Sequence, residues 1–296
     1  MPTSRLIAII IACCLLSSLL CVKLFSTGNV AESPRETTFE RIQRTRELNC
    51  GYLVVASLLR KDEKTGQLSG PGFDIVNAMA KNLKLNVKWS AEVGTASIAE
   101  DLKTGRFDML CTPITAASAA RGQVMSVSRK VFFTPSYLYV HPGETRSMAD
   151  LSWVNDPSVK LSTIDGLAYT SLYAHYFPRA KVVSLPELSP ISDMMLQVST
   201  GKVDATLMLK YDAALFLQTN PGRIKQGSSN PIVIGGAGFW MPKDDGKMKG
   251  MIDTALDEMI YNGAIDNILD RYEPTRGKYY WRVAPEYQMP AQGGDL

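Results

Sequence analysis

This chain of 296 residues has few histidines, few cysteines and only a small net charge. It has two histidines, and three of its five cysteines, Cys13, Cys14 and Cys21, fall in one apolar stretch near the start. No histidine or cysteine spacing typical of a metal site occurs, so we expect no metal and no cofactor. The net charge of +3 is too small to indicate a nucleic-acid partner or an anionic membrane surface.

The remaining composition is typical of a chain that builds a hydrophobic core. Hydrophobic residues make up 45% and charged residues 21%, which excludes wholesale disorder, a collagen-like repeat, a disulfide-dense scaffold and a polytopic membrane protein. At roughly 100–200 residues per domain, the length predicts a leader and about two domains.

Residues 1–28 have the pattern of an export signal. Arg5 precedes an apolar run over residues 6–22, and Lys23 follows it. A run of this length predicts an apolar helix that is either a cleaved signal peptide or an uncleaved membrane anchor. In both cases we expect the folded part in the periplasm or on the outer face of the inner membrane. Residues 29–47 are polar and predict a linker or an exposed first helix.

The rest of the chain alternates short apolar runs with helical patterns. A run at residues 53–56 is typical of a buried strand, and Ile75, Met79 and Leu83 then recur at helical spacing. Strands that alternate with helices predict parallel sheets with crossover connections.

An internal repeat indicates two similar units. Residues 104–108, Thr-Gly-Arg-Phe-Asp, are echoed by residues 200–204, Thr-Gly-Lys-Val-Asp, and the flanking elements follow in the same order. The last part of the chain lacks the strands for a third unit, so we expect it to return to the first. This predicts an α/β fold of two Rossmann-like lobes joined by a two-strand hinge, which is a natural place to enclose a small ligand. The predicted parts are lobe 1 (48–139 and 232–280), lobe 2 (140–231) and a C-terminal extension (281–296).

Several short motifs along this stretch each carry little weight but follow a specific order. They are Gly51-Tyr52-Leu53-Val54-Val55, Phe73-Asp74-Ile75, Gly105-Arg106-Phe107-Asp108, Gly201-Lys202-Val203-Asp204-Ala205 and Gly263-Ala264-Ile265. Together they resemble family 3 of the extracellular solute-binding proteins, which serve amino-acid-type ABC importers. The resemblance implies a type II periplasmic-binding fold and a monomer, not an enzyme, that closes on a small solute and delivers it to an ABC permease.

The resemblance also points to ligand-binding residues in the first lobe. Thr112, Thr115, Ser118 and Arg121 follow the strand that ends at Leu110. In the family, an arginine at the position of Arg121 binds the ligand carboxylate, since a guanidinium meets both oxygens at once. The alternative is that Arg121 is a surface residue on an alanine-rich turn.

In the second lobe, the segment from Gly166 through Ala168 to Tyr169 joins a strand to a helix. Free backbone N–H groups at a helix start can bind an anion. Tyr52 and Tyr169 could supply flat faces to a ligand, although aromatic residues at the ends of strands and helices are more often part of the core.

One departure from the family bears on the solute. Amino-acid binders of this family carry a carboxylate five positions after the motif Asp204, and this chain has Leu209 there. An ammonium enclosed without a partner is strongly disfavoured, so we expect a carboxylate-bearing or otherwise anionic solute rather than a standard α-amino acid. Asp212 could supply the missing carboxylate if the register slips.

Two other functions stay open at this point. Some relatives are exported dehydratases, and His175, Glu92, Asp165 and Glu187 are possible acids or bases for such an enzyme. A membrane-tethered ligand sensor that docks on a partner is the other alternative.

Cys50 and Cys111 are the two cysteines of the folded part. We expect them at opposite ends of neighbouring parallel strands, beyond the roughly 7 Å Cα separation that a disulfide allows. The prediction is two free, buried thiols.

Overall fold

The computed structural model describes residues 36–115 and 119–283, and of residues 119–121 it describes the backbone only. The predicted apolar helix of residues 1–28 and the predicted site residue Ser118 lie outside these ranges. In the described ranges, no helix has the length and apolar character needed to cross a membrane.

The elements alternate between strand and helix through most of the chain. The helices are α1 (Thr38–Thr45), α2 (Pro71–Asn82), α3 (Ile98–Thr104), α4 (Ala119–Val124), α5 (Tyr169–Tyr176), α6 (Ile191–Ser199), α7 (Lys210–Thr219), α8 (Gly246–Tyr261) and α9 (Ala264–Asp270), with a 3-10 turn at Ser152–Asn155. The strands are β1 (Glu47–Tyr52), β2 (Arg60–Lys61), β3 (Leu68–Ser69), β4 (Asn86–Glu92), β5 (Met109–Thr115), β6 (Met125–Val127), β7 (Phe132–Val140), β8 (Lys160–Ile164), β9 (Lys181–Leu185), β10 (Ala205–Leu209), β11 (Lys225–Gln226), β12 (Val233–Pro242) and β13 (Trp281–Arg282).

The strand order β4-β1-β5-β12-β7-β10-β8-β9 places a parallel group at each end of one curved path. The long strands β7 and β12 run antiparallel between the two groups, with Val233 opposite Ser136. Each end has its own buried core. The predicted architecture of two α/β lobes joined by two strands is therefore confirmed.

The packing of the first lobe shows why its last helix returns there. Met248, Ile252, Leu256 and Met259 lie on one face of α8, and each has no exposed surface. They share a cluster with residues of β1, β5 and α2. An apolar stripe at helical spacing is buried when it faces a sheet. The core of the first lobe therefore combines early strands and helices with the late helix α8.

The internal repeat has the same structural role in each lobe. The amide of Asp108 donates to the carbonyl of Asn49, and its carboxylate accepts from the amide of Asn49 at 2.7 Å. Asp204 makes the same two bonds with Lys160, its carboxylate accepting at 2.8 Å. The repeated aspartate thus holds the beginning of the neighbouring parallel strand.

The prediction of a strand at residues 53–56 is wrong. The first strand ends at Tyr52, and the apolar residues that follow it leave the sheet. At this point the Thr112 hydroxyl accepts from the Leu53 amide at 2.9 Å and donates to the Leu53 carbonyl at 2.8 Å. The Thr112 side chain therefore bonds to both the N–H and the C=O group of Leu53, which would otherwise pair with a neighbouring strand.

The prediction of two free thiols is also wrong, because Cys50 and Cys111 form a disulfide. Cys50 lies within β1 opposite Met109, and Cys111 is two residues further along β5. Their Cα atoms are 5.4 Å apart, well inside the range for a bridge. The two cysteines are therefore at the same level of the sheet rather than at opposite ends.

Candidate functional site

A cavity of about 420 Å³ lies between the two lobes, beside the hinge strands. Thr134 and Ser136 of β7 and Gly235 of β12 line it at the hinge. The remaining walls are mainly aliphatic. A cleft of this size with a few polar groups is typical of a site for a small molecule.

The first lobe lines the cavity with the apolar residues that leave the sheet after β1. Leu53, Val54, Val55 and Leu58 all face it. These residues looked like a buried strand in the sequence because lining an enclosed cavity and lying in a sheet core both favour aliphatic side chains. The Thr112 hydroxyl positions this segment by holding Leu53.

Asp212, in the first turn of α7, is a buried carboxylate on the cavity wall. One of its oxygens accepts from the Ser57 amide at 2.9 Å, and the other accepts from the Ser57 hydroxyl at 2.8 Å. Burial raises the pKa of Asp212 to about 6, although the two hydrogen bonds from Ser57 favour the ionised form. The second lobe thus places a carboxylate, which can pair with a cation, on the wall of the cleft.

The two lobes also meet directly through two hydrogen bonds beside the cavity. The Ala96 amide donates to the Glu187 carboxylate at 2.7 Å, and the Thr95 hydroxyl donates to the Asp165 carbonyl at 2.8 Å. Gly166 lies against Thr95 with a φ of +78°, a backbone conformation that favours glycine. The two lobes are therefore in direct contact across the cleft in this structure.

We expect Gly166→Ala to hold the lobes apart. A Cβ atom at this position would lie 2.6 Å from the Thr95 hydroxyl oxygen and 3.1 Å from the Ala96 amide nitrogen. Gly201→Ala is the matched control, since Gly201 has a φ of +70° in the same lobe but no atom within 4 Å of the added Cβ. Small-angle X-ray scattering should give a larger radius of gyration for Gly166→Ala than for the control. Equal radii would contradict the steric role of Gly166.

The structure brings only part of the predicted site together. Thr115, Ala168 and Tyr169 line the cavity. Thr112 does not, because it is fully buried and its hydroxyl is used by Leu53. Tyr52 does not either, because its ring packs in the first lobe against Trp89 at a centroid distance of 6.2 Å.

Two further predicted residues, Gly166 and Arg121, are not among the described residues that line the cavity. Gly166 adjoins the cavity-lining Leu167 and contacts the other lobe. Arg121 lies in α4, the short helix that follows β5, and its side chain is outside the described part of the chain. Its role toward a ligand stays a prediction.

The charged groups that line the cavity are all acidic among the residues that the structure describes. They are Glu63, Glu92, Glu187 and Asp212. Glu92 is paired with Lys61 at 2.7 Å, and Glu187 is bonded to the Ala96 amide. The sequence spacing indicates Asp212 only as a substitute for a carboxylate at Leu209. Leu209 itself lines the cavity, and Asp212 lies there too because it is three residues further on, almost one helical turn.

The described ranges contain no group of three or more His, Cys, Asp or Glu side chains that could hold a metal ion. The acidic residues of the cleft are spread over its walls, in the loops after β2 and β9, in β4 and in α7. Their chemistry suits a cationic group of an organic solute.

The sequence matches the bacterial extracellular solute-binding proteins of family 3 over residues 59–275. The chain belongs to this family. Among curated relatives, the L-arginine-binding protein of Pseudomonas aeruginosa is 23% identical over 215 residues, which cover 70% of this chain and 80% of that protein.

Solved structures give the same fold for this solute-binding protein. An ancestral amino-acid-binding protein, described as a precursor of cyclohexadienyl dehydratase, is 21% identical with a TM-score of 0.68, covering 80% of this chain and 99% of its own. A binding component of an ABC transporter from Wolinella succinogenes, complexed with lysine, is 19% identical with a TM-score of 0.68, covering 78% and 97%. The predicted type II periplasmic-binding fold is therefore confirmed.

Proposed function

We propose that this solute-binding protein encloses a small solute that carries both a carboxylate and an ammonium group, as an amino acid does. The observation that carries the proposal is Asp212, a buried carboxylate on the wall of the interlobe cavity. In the sequence, Leu209 leaves a solute ammonium without a carboxylate partner, which argues against a standard α-amino acid. Asp212 supplies that partner.

The electrostatics of Asp212 favour a cation beside it. Burial disfavours the ionised carboxylate, and the pKa of about 6 expresses that penalty. An ammonium within about 4–6 Å favours the ionised form and offsets the penalty. A solute ammonium and Asp212 therefore stabilise each other in the closed cleft, which an anionic group at the same place would not do.

Arg121 is the residue that we propose for the carboxylate end of the solute. It follows β5 in α4, the position at which the family carries its carboxylate-binding arginine. A guanidinium–carboxylate pair contributes about 1.5–3 kcal/mol per hydrogen bond, so both ends of the solute would have a charged partner.

The charge of the cleft guides the choice of the first solute to test. Glu63 lines the cavity as an exposed acid in addition to Asp212, whereas Glu92 is paired with Lys61. The relative from Pseudomonas aeruginosa is named for L-arginine, and the structure from Wolinella succinogenes holds lysine. We therefore propose a basic amino acid, with L-arginine as the first probe, delivered in the periplasm or at the outer face of the inner membrane to an ABC importer.

Isothermal titration of the purified full-length protein tests this function. L-arginine and L-lysine should bind saturably, and the matching acids without the α-amino group should bind at least about tenfold more weakly. Binding of the deaminated acids alone would overturn the proposal in favour of an anionic solute. The solute recovered after incubation should be chemically unchanged, and a dehydrated product would favour the enzyme.

The role of Arg121 is tested in the same titration. Arg121→Ala should weaken L-arginine binding by about tenfold or more. Arg106→Ala is the control, because Arg106 is an exposed residue of the same lobe that pairs with Asp101. Equal affinities of the two variants would remove Arg121 from the site.

A further inference from the structure

Residues 276–282, near the end of the described range, lie beyond the family match, which ends at residue 275. We call them the C-terminal strap. Trp281 and Arg282 form β13, which pairs antiparallel with Phe133 and Phe132 of the hinge strand β7. This part of the chain therefore adds a strand to the hinge that the family match does not include.

A buried carboxylate holds the strap in place. The Glu273 side chain has no exposed surface, and it accepts hydrogen bonds from the amides of Gly277 at 2.9 Å and Tyr279 at 2.8 Å. The same carboxylate pairs with the Arg282 guanidinium at 2.7 Å. The Tyr280 amide also donates to this carboxylate at 3.2 Å, and these four attachments to one buried group give the strap a defined course.

The strap contacts the second lobe through two aromatic rings. Tyr211, in the first turn of α7, meets the Tyr279 ring edge-on at a centroid distance of 5.1 Å and the Tyr280 ring at 6.2 Å. Its hydroxyl accepts from Arg60 of the first lobe at 2.9 Å. The first turn of α7 is therefore docked on the first lobe and on the strap together, and Asp212 is the next residue in that turn.

One hydrogen bond extends this docking to the cavity. Tyr280 is 1% exposed, and its hydroxyl donates to the Ser57 carbonyl at 2.5 Å. Ser57 in turn donates its amide and its hydroxyl to the two oxygens of Asp212. Tyr280 thus fixes the residue that orients the carboxylate on the cavity wall.

We propose that Tyr280 is a positioning residue for the solute site, which acts by holding Ser57 against Asp212 and so keeps the second lobe docked in the closed arrangement. Its effect on solute affinity rests on the proposed function, in which Asp212 binds the solute ammonium. Its effect on Ser57 does not, because the contacts among Tyr280, Ser57 and Asp212 are within the protein.

Tyr280→Phe tests the proposal with little change to the core. It keeps the ring that packs against Phe132 and removes only the bond to the Ser57 carbonyl. Tyr279→Phe is the matched control, since the Tyr279 ring also contacts Tyr211 but its hydroxyl makes no hydrogen bond to a described residue.

The first measurement needs no solute. Hydrogen–deuterium exchange of the solute-free, full-length protein should show faster exchange of the Ser57 amide in Tyr280→Phe than in Tyr279→Phe, with unchanged exchange in α8. Equal exchange at Ser57 in the two variants would overturn the positioning role, whatever L-arginine does. Faster exchange throughout the first lobe would also overturn it, because that result indicates general loosening.

The second measurement is titration with L-arginine. Tyr280→Phe should bind more weakly than wild type, by up to about tenfold, because the loss of one hydrogen bond to a buried carbonyl sets the upper limit, and Tyr279→Phe should bind like wild type. Faster exchange at Ser57 with unchanged affinity would overturn the link from Tyr280 to the solute. Absence of L-arginine binding to wild type would contradict the proposed function instead, and the exchange at Ser57 would still decide the positioning role.

Discussion

Replacing both Cys50 and Cys111 with alanine should lower the free energy of unfolding by about 4 kcal/mol. The two cysteines are 61 residues apart in sequence, and cross-linking a loop of that length removes about this much conformational freedom from the unfolded chain. For a protein of this size the melting temperature should fall by roughly 10 °C. Both side chains are fully buried, so some lost packing adds to the effect.

Chemical denaturation with and without reductant separates the bridge from the packing. Dithiothreitol should shift the unfolding midpoint of the wild-type protein and leave that of the double alanine variant unchanged. A wild-type midpoint that does not respond to reductant in the unfolding range would contradict a stabilising disulfide. Cys13, Cys14 and Cys21 are present in both proteins, so they do not affect the comparison.

The failed prediction for these cysteines shows what the sequence could not supply. The apolar run at residues 53–56 suggested a strand beginning near Cys50, whereas the strand runs from Glu47 to Tyr52. That difference of a few residues moves Cys50 into the middle of the strand and beside the start of β5. Strand boundaries depend on which backbone groups find partners, and here the partner of Leu53 is the Thr112 side chain, 59 residues away.

The features that could be predicted are those with local periodic signals. The helical spacing of Ile75 and Met79 is matched by α2, where both side chains are fully buried. The repeated aspartates Asp108 and Asp204 indicated two related lobes in the sequence. In the structure each makes the same contacts within its own lobe. Such contacts recur wherever the same short segment occurs.

The candidate site was harder to predict because its residues come together only through the tertiary fold. Whether Asp212 faces the cavity depends on where α7 begins, and the residue expected there was Leu209. The Glu187 carboxylate links the two lobes only through its hydrogen bond from the Ala96 amide of the other lobe. The strap could not be predicted either, since a short segment with two tyrosines has no periodic pattern.

Replacing Asp212 with asparagine should separate stability from solute binding, with opposite effects on the two. The ammonium of an enclosed solute would lose its charged partner, and breaking a buried ion pair is disfavoured by about 3–5 kcal/mol. Affinity for L-arginine should therefore fall at least about 100-fold at pH 7.5. Asp193→Asn is the control, because Asp193 is in the first turn of α6 and is not among the residues that line the cavity.

The stability of the solute-free protein should change in the other direction. Burial raises the pKa of Asp212 from its usual 3.8 to about 6, so the folded protein holds this proton more tightly than the unfolded chain. The free energy of unfolding should thus decrease as pH rises from about 4 to about 6 and stay lower above that range. Asparagine does not titrate and can still accept the bond from the Ser57 amide.

The variant should consequently be more stable than wild type at pH 7.5, by an amount on the order of 2 kcal/mol, and the two should converge near pH 4. Urea unfolding at a series of pH values measures this difference. A less stable variant at pH 7.5 would mean that the ionised carboxylate contributes net stability through Ser57. Unchanged L-arginine affinity would mean that the ammonium partner lies elsewhere. The combination expected here, a gain in stability with a loss of binding, is the result of a charge that the empty cleft disfavours and that a cationic solute neutralises.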